Sequence, residues 1–326
     1  MAFDFNFLSN TGGTSPAPII YTYLTSDNRN QVLAANYFND ASPKLREDDL
    51  IAVVTPNTEL KVRVLSVVGR VVTVRESMAA KDFFVEVRKG NVPGHSLAGL
   101  VQSSPNITSG AFQDLWFPGG IKILASGAED LEIVSSSATD AAAGDGGREV
   151  TFYYLDVNYA RKSHTVTLNG TTPVAMMSDY FRNDPLVVGA SAMVTSSGDN
   201  DTNAGDITIR RVSDSASRSV IPADEGVSTD GHFTVPLGFR VFLTNVYHFF
   251  PKNQSGEIRK RIRRFDNDTF STLGATPLYQ NQTLIDIEAL LPANEKDTVI
   301  IQAKSDNVGP ISVTSIVEVL IVEDTA

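Results

Sequence analysis

The stretch from Gly147 to Val174, GREVTFYYLDVNYARKSHTVTLNGTTPV, limits what this chain can fold into more than any other. Val150, Phe152 and Tyr154 alternate with Glu149, Thr151 and Tyr153, the two-residue period of a strand with two unlike faces. Asp156-Val157-Asn158 supplies a turn, because Asp and Asn bond their own main chain and tolerate left-handed backbone. His164, Val166 and Leu168 then alternate with Ser163, Thr165 and Thr167, and Asn169-Gly170 is the dipeptide best suited to a tight hairpin. Strand, turn, strand, turn reads as a β-meander. Nothing in it looks reactive.

A chain of 326 residues has room for one large β domain or two ordinary ones. Its 42% hydrophobic and 20% charged residues mark a globular composition. The net charge of −11 argues against a nucleic-acid partner. Cysteine is absent, which removes disulfides, thiolate metal sites and cysteine nucleophiles together and suits synthesis in a reducing cytosol. The opening MAFDFNFLSNTGG is no signal peptide, and no window reaches the roughly 20 apolar residues of a membrane helix. The expectation is a soluble protein with no membrane partner.

Taken in order, residues 1–17 read either as an extended arm that becomes ordered against a neighbour or as a frayed terminus. Residues 18–90 read as a small β-rich docking module with one short helix, capped by Ser26 or Asp27 and running to Asn36. Strands follow at Leu50–Thr55 and on either side of Gly69, with a turn at Pro56-Asn57. RKGNVPGHS, residues 88–96, is the expected boundary. Residues 95–326 then read as a β-sandwich or jelly-roll-like domain, with strands in Tyr180–Gly189, at Asp206–Arg211 and around Pro236-Leu237-Gly238.

The string YTYLTSDNRNQVLAANYFNDASPKLREDDLIAVV resembles a short module of tailed-phage structural proteins, with Asn36 and Asp48 where that module commonly has Gly. LEIVSSSATD, the run from Gly144 to Tyr159, TVTLNGTTPV, NAGDITIR and FTVPLGFRVFLTN resemble a recurrent domain of tailed-phage virion proteins. The resemblance implies a β-rich, non-catalytic virion component, of the capsid-decoration or head-fibre kind. It would be made in the host cytoplasm, would dock on the major capsid protein or another virion protein, and would self-associate, as a homotrimer. A tail-associated receptor- or glycan-binding adaptor is the alternative, and no cofactor is implied.

Three stretches carry candidate chemistry. EIRKRIRRF places Arg259, Lys260, Arg261, Arg263 and Arg264 on one strand, with Lys260 and Arg264 sharing a face with Ile258 and Ile262. This is a positive stripe suited to an acidic neighbour, or a solvated strand that deters edge pairing. The aromatic cluster around Tyr247 and Phe249, and the single tryptophan, Trp116, are interface or core anchors before they are ligand shelves. Asp199, Asp201, Asn203 and Asp206 look like the start of a calcium loop but lack its sixth-position Gly and twelfth-position acid, so a solvated polar turn is favoured. The four histidines, His95, His164, His232 and His248, lack catalytic spacing. Acid pairs such as Asp48-Asp49, or Asp286 and Glu288, suggest no glycosidase in a chain without solenoid repeats. The expectation is a protein that is not an enzyme.

Overall fold

A computed structural model describes residues 4–12, 18–56, 59–77, 80–251, 253–279, 283–286, 292–307 and 309–324. Asn57 and Glu288 lie outside these residues. The chain is mainly β and divides into two compact units, Met1–Glu86 and Val87–Ala326.

The first unit is a five-stranded sheet of β1 (Leu8–Gly12), β2 (Ile20–Leu24), β3 (Leu50–Val54), β4 (Glu59–Val68) and β5 (Val71–Glu76), in that spatial order. Residues 8–12, expected in the arm, pair antiparallel with β2 and bury Leu8. β2 and β3 run parallel, and the chain between them supplies the crossover that parallel neighbours require. Helix α1 (Arg29–Val32) lies in that crossover and is shorter than expected. Its cap is Asn28, which exchanges side-chain and backbone hydrogen bonds with Gln31 as a capping box. Asp27 is unavailable as a cap because its carboxylate accepts from the Tyr37 hydroxyl at 2.9 Å.

Asn36 and Asp48, where the resembled module commonly has Gly, adopt φ of 69° and 72°. Both positions therefore need left-handed backbone, which Gly adopts freely and Asn and Asp tolerate best among the rest. The turn at Asn36 brings Tyr37 and Phe38 against Tyr23, with ring centroids 6.3 and 5.9 Å away. A second helix, α2 (Ala80–Arg88), was not expected in a module read as having one short helix; its Ala, Lys, Glu and Arg favour helix.

The second unit carries β6 (His95–Ile107), β7 (Gln113–Asp114), β8 (Leu131–Ser135), β9 (Gly147–Leu155), β10 (Arg161–Thr167), β11 (Val174–Ala175), β12 (Arg182–Asn183), β13 (Ala192–Ser197), β14 (Ile207–Arg211) and β15 (Ser217–Ile221). It continues with β16 (His232–Thr234), β17 (Phe239–Phe249), β18 (Ser255–Arg263), β19 (Phe270–Tyr279), β20 (Thr283–Asp286), β21 (Pro292–Ala293), β22 (Thr298–Ser305) and β23 (Ile311–Glu323). The apolar side chains form two cores rather than one. In the first, Ile258, Ile262, Val299 and Ile301 of the β16-β22-β18-β19 sheet pack with Val241, Leu243, Val317 and Val319 of the β20-β17-β23-β6 sheet. In the second, Val150 and Phe152 of β9, with β10, β12 and β13 beside it, pack with Ile133, Ile207 and Ile221 of the β11-β8-β14-β15 sheet. The second core is built from chain inserted between β7 and β16.

The strand pair read from the meander is present, with Val150 opposite Val166 and Phe152 opposite His164. Asn169-Gly170, however, does not close a third meander strand. The Gly170 amide donates to Asp140 O at 2.7 Å and its carbonyl accepts from Ser135, so the chain passes to β11, which pairs with β8. The strand expected in Tyr180–Gly189 is the two-residue β12.

Candidate interaction site

The basic strand is β18, hydrogen-bonded to β19 on one side and β22 on the other. It is interior to its sheet, so its charges do not protect an edge. Lys260, only 1% exposed, faces the core with Ile258 and Ile262 and is removed from any surface stripe. Arg264 lies beyond the strand end and turns its Nη1 to Asp297 Oδ2 at 2.6 Å, and Arg263 pairs with Asp268. Arg259 and Arg261 remain on the outer face, with guanidinium carbons 3.9 Å from the ring centroids of Phe112 and Phe270. Arg259 also donates to Gln302 Oε1 at 2.7 Å. Neither has a carboxylate ion-pair partner among the described residues. Of five expected cations, three (Arg259, Arg261 and Arg263) stay on that face, and Arg263 is already paired.

Tyr247 and Phe249 point outward from β17, while Val246 and His248 point inward. A bulge between Leu243 and Asn245 shifts the register, so Phe242 shares the outward side although it lies five positions before Tyr247. Phe249 is half-exposed, and Phe250 is buried in the core. Trp116 is also buried, 7% exposed, with its Nε1 donating to Gly119 O at 2.7 Å; it anchors a turn and presents no surface.

The acidic loop 199–206 is a solvated turn at its tip, where Asp199 and Asp201 are exposed, but its second half is anchored in the interior. Asn203 is fully buried, its amide donating to Gly205 O and Pro222 O at 2.7 and 2.8 Å while its carbonyl accepts from the Gly226 amide. Asp206 accepts from the Ala223 amide at 2.9 Å. Among the described residues no group of three or more His, Asp or Glu side chains is placed to hold a metal. The four histidines are not brought together: His248 meets Ser315 at 3.0 Å, and His232 Nε2 lies 2.9 Å from Asp114 Oδ2.

That last pair belongs to a buried polar belt that sequence reasoning missed. Lys122 meets Asp230, and Arg218 grips both oxygens of Glu129 at 2.6 and 2.8 Å. Burial pushes the Asp114 carboxyl up, but the nearby His232 and hydrogen bonds from His232, Gln302 and the Lys122 amide outweigh it and hold the group below its ordinary value. Burial pulls Lys122 down, against the opposing pull of Asp230. Partners this distant in sequence leave no local spacing to read.

Four of the virion-like motif strings converge on one residue. Asp140, at the end of LEIVSSSATD, is fully buried, and its Oδ1 accepts from the amides of Gly147 and Ala204 at 2.7 and 2.8 Å. Its Oδ2 accepts from Ser135 Oγ and the Gly205 amide at 2.5 and 3.0 Å, and its backbone carbonyl holds Gly170 of TVTLNGTTPV. With both oxygens engaged by donors, this carboxylate holds loops together and leaves no oxygen open to a ligand.

Arg263 and Arg264 open on a cleft of about 230 Å³ that also takes in Tyr159, Arg182, Phe265 and Lys296. Tyr159 and Phe265 meet edge to face at 5.5 Å, and the Lys296 ammonium stands 5.0 Å from the Phe265 centroid. Asp297 fixes the neighbouring turn, accepting from the Asn294 and Phe265 amides at 3.0 Å each.

No family model matches the chain. No curated protein matches it either. Among solved structures it is similar to infectious bursal disease virus of the Gt strain, at 8% identity over 74% of this chain and 78% of that chain, with a TM-score of 0.18. A T13 viral particle of the same virus matches at 10% identity over 71% and 74%, with a TM-score of 0.16. Its VP2 subviral particle matches at 9% identity over 74% and 78%, also with a TM-score of 0.16. Likenesses with TM-scores this low carry no argument about this chain.

Proposed function

We propose that this chain is a non-catalytic structural component of a tailed-phage virion, a capsid-bound decoration or head-fibre protein that works by self-association and docking. One observation carries the reading: the motif strings that resemble virion proteins meet at Asp140, where they lock the second β core. Motifs used this way preserve a shape, which is what a particle component needs. In this reading the unit Met1–Glu86 docks on the major capsid protein or another virion protein, and the larger unit assembles as a homotrimer. The outward Tyr247 and Phe249 of β17 lie at a contact between subunits, since aromatic side chains with an exposed apolar face are favoured at interfaces.

Cryo-electron microscopy of particles lacking the protein, after adding it back, tests the assignment. Density repeated over the shell supports decoration or a head fibre. Density confined to the tail moves the protein to a tail-associated adaptor, and absence of any particle density removes the virion reading. A Tyr247→Ser/Phe249→Ser variant, examined by analytical ultracentrifugation, is expected to shift the chain to monomer.

A further inference from the structure

The cleft beside Phe265 combines two properties, positive charge and an aromatic wall. The first is an excess of positive charge over the one carboxylate, Asp268, that lines the cleft. Four cations border it, and Asp268 and Asp297 neutralise Arg263 and Arg264. Among the described residues Arg182 and Lys296 have no carboxylate partner at ion-pair distance. Arg182 gives its Nη1 to the carbonyls of Ala125 and Phe181 at 2.6 and 2.8 Å, while its Nε is buried with no hydrogen-bond acceptor. On a chain of net charge −11, this is a local reversal of sign in a concave site, where field lines focus.

The second property is an aromatic wall. Phe265 is 49% exposed, edged by Tyr159 and with the Lys296 ammonium beside its ring. A bare inorganic anion would use the cations and leave the ring wet. A ring-shaped ligand with an apolar face and one charge uses both. The volume of about 230 Å³ is below the roughly 300–1,000 Å³ of drug-sized pockets, which suits one such ring and not a base, ribose and phosphate together.

We propose that this cleft binds a single anionic sugar residue, a pyranose bearing a carboxylate or a phosphate. The C–H face of the ring lies on Phe265, and the anionic group faces Lys296 and the guanidinium groups, whose planar donors match carboxylate and phosphate oxygens. The site is independent of where the protein sits on a particle, so its failure would leave the docking reading intact, and the reverse also holds.

Isothermal titration of the full chain with glucuronate and with glucose 6-phosphate tests the proposal, with glucose, inorganic phosphate and AMP as comparisons. The expected result is saturable binding of at least one anionic sugar at about 1 mM or tighter, and none of glucose. Lys296 sits at φ of 67°, a backbone that Asn tolerates, so Lys296→Asn removes the charge without straining the turn and should weaken binding about tenfold or more. Phe265→Ala should weaken the sugar while sparing inorganic phosphate, and unchanged thermal midpoints will show that both variants fold. Three results overturn the proposal: no saturable binding of either anionic sugar, binding indifferent to both substitutions, or binding of phosphate or AMP as tight as that of the sugars.

Discussion

Lys122 Nζ lies 3.3 Å from Asp230 Oδ1, both side chains are 2% exposed, and 108 positions of sequence separate them. The two residues stand where the inserted β core leaves and rejoins the sandwich, next to the Asp114–His232 contact. Ser219 and Ser228 donate to the other oxygen of Asp230, so the pair is hydrogen-bonded as well as charged. Gly231 between Asp230 and His232 allows the close passage, since a Cβ there would come within 2.4 Å of Leu115 O. The contact ties both ends of the insertion to one place.

Lys122→Ala should therefore destabilise the larger unit by about 3–5 kcal/mol, because it leaves a buried carboxylate without its partner. Urea denaturation measures this. A Lys122→Met/Asp230→Asn double variant should lose less than Lys122→Ala alone; an equal or larger loss would show that the pair is not coupled.

Asp140→Ala strands three amides and a hydroxyl in the interior. The expected cost is about 4 kcal/mol or more, large enough to leave much of the chain unfolded at 37 °C. Hydrogen exchange at Gly147 and Gly205 should rise first if local opening precedes global unfolding.

Asp184 supplies a pH signature. Its side chain is fully buried, and burial pushes its carboxyl up to about 6, against the pull of Arg161 at 3.0 Å and a hydrogen bond from the Leu186 amide. The folded chain then holds this proton more tightly than the unfolded chain. Its contribution to stability is present below about pH 4 and is lost as pH rises to about 6, a change of up to about 3 kcal/mol. Comparing urea midpoints of the wild type and Asp184→Asn across this window should show the slope in the former and its absence in the latter.

At Asn36 the left-handed backbone sets the main requirement, since among the described residues the side chain makes only an exposed hydrogen bond, accepted from Asn39 Nδ2 at 3.1 Å. Asn36→Gly should leave the stability of the first unit within about 0.5 kcal/mol, and Asn36→Val should cost about 1–2 kcal/mol. Equal effects of the two, read by thermal unfolding, would mean that the left-handed turn is not limiting.

Several elements were legible because their signal is local. The β9–β10 pair follows from alternation, the β4–β5 hairpin from Gly69, and the sharing of one β18 face by Ile258, Lys260 and Ile262 from the same period. The same alternation puts Lys260 inside, yet its charge made it look like a surface residue, because the pattern tells which residues share a face and not which face is buried. Arg264 was misplaced for another reason: β18 ends at Arg263, and Asp297 draws the next side chain away. α2 was missed because its aromatic and β-branched residues mask a short helix.

By itself the sequence determined the β-rich class, the positions of most turns, the residues that share a strand face, and the absence of cysteine chemistry. These depend on neighbours a few positions apart, where steric preference and side-chain period act directly. Only the tertiary structure decided that β2 and β3 run parallel, that the larger unit has two cores, and that Asp140 gathers four motif strings. It also decided that Arg182, Arg263 and Lys296 border one cleft. Those outcomes depend on which distant segments exclude water together, and the buried polar groups that result find their partners across the chain rather than along it.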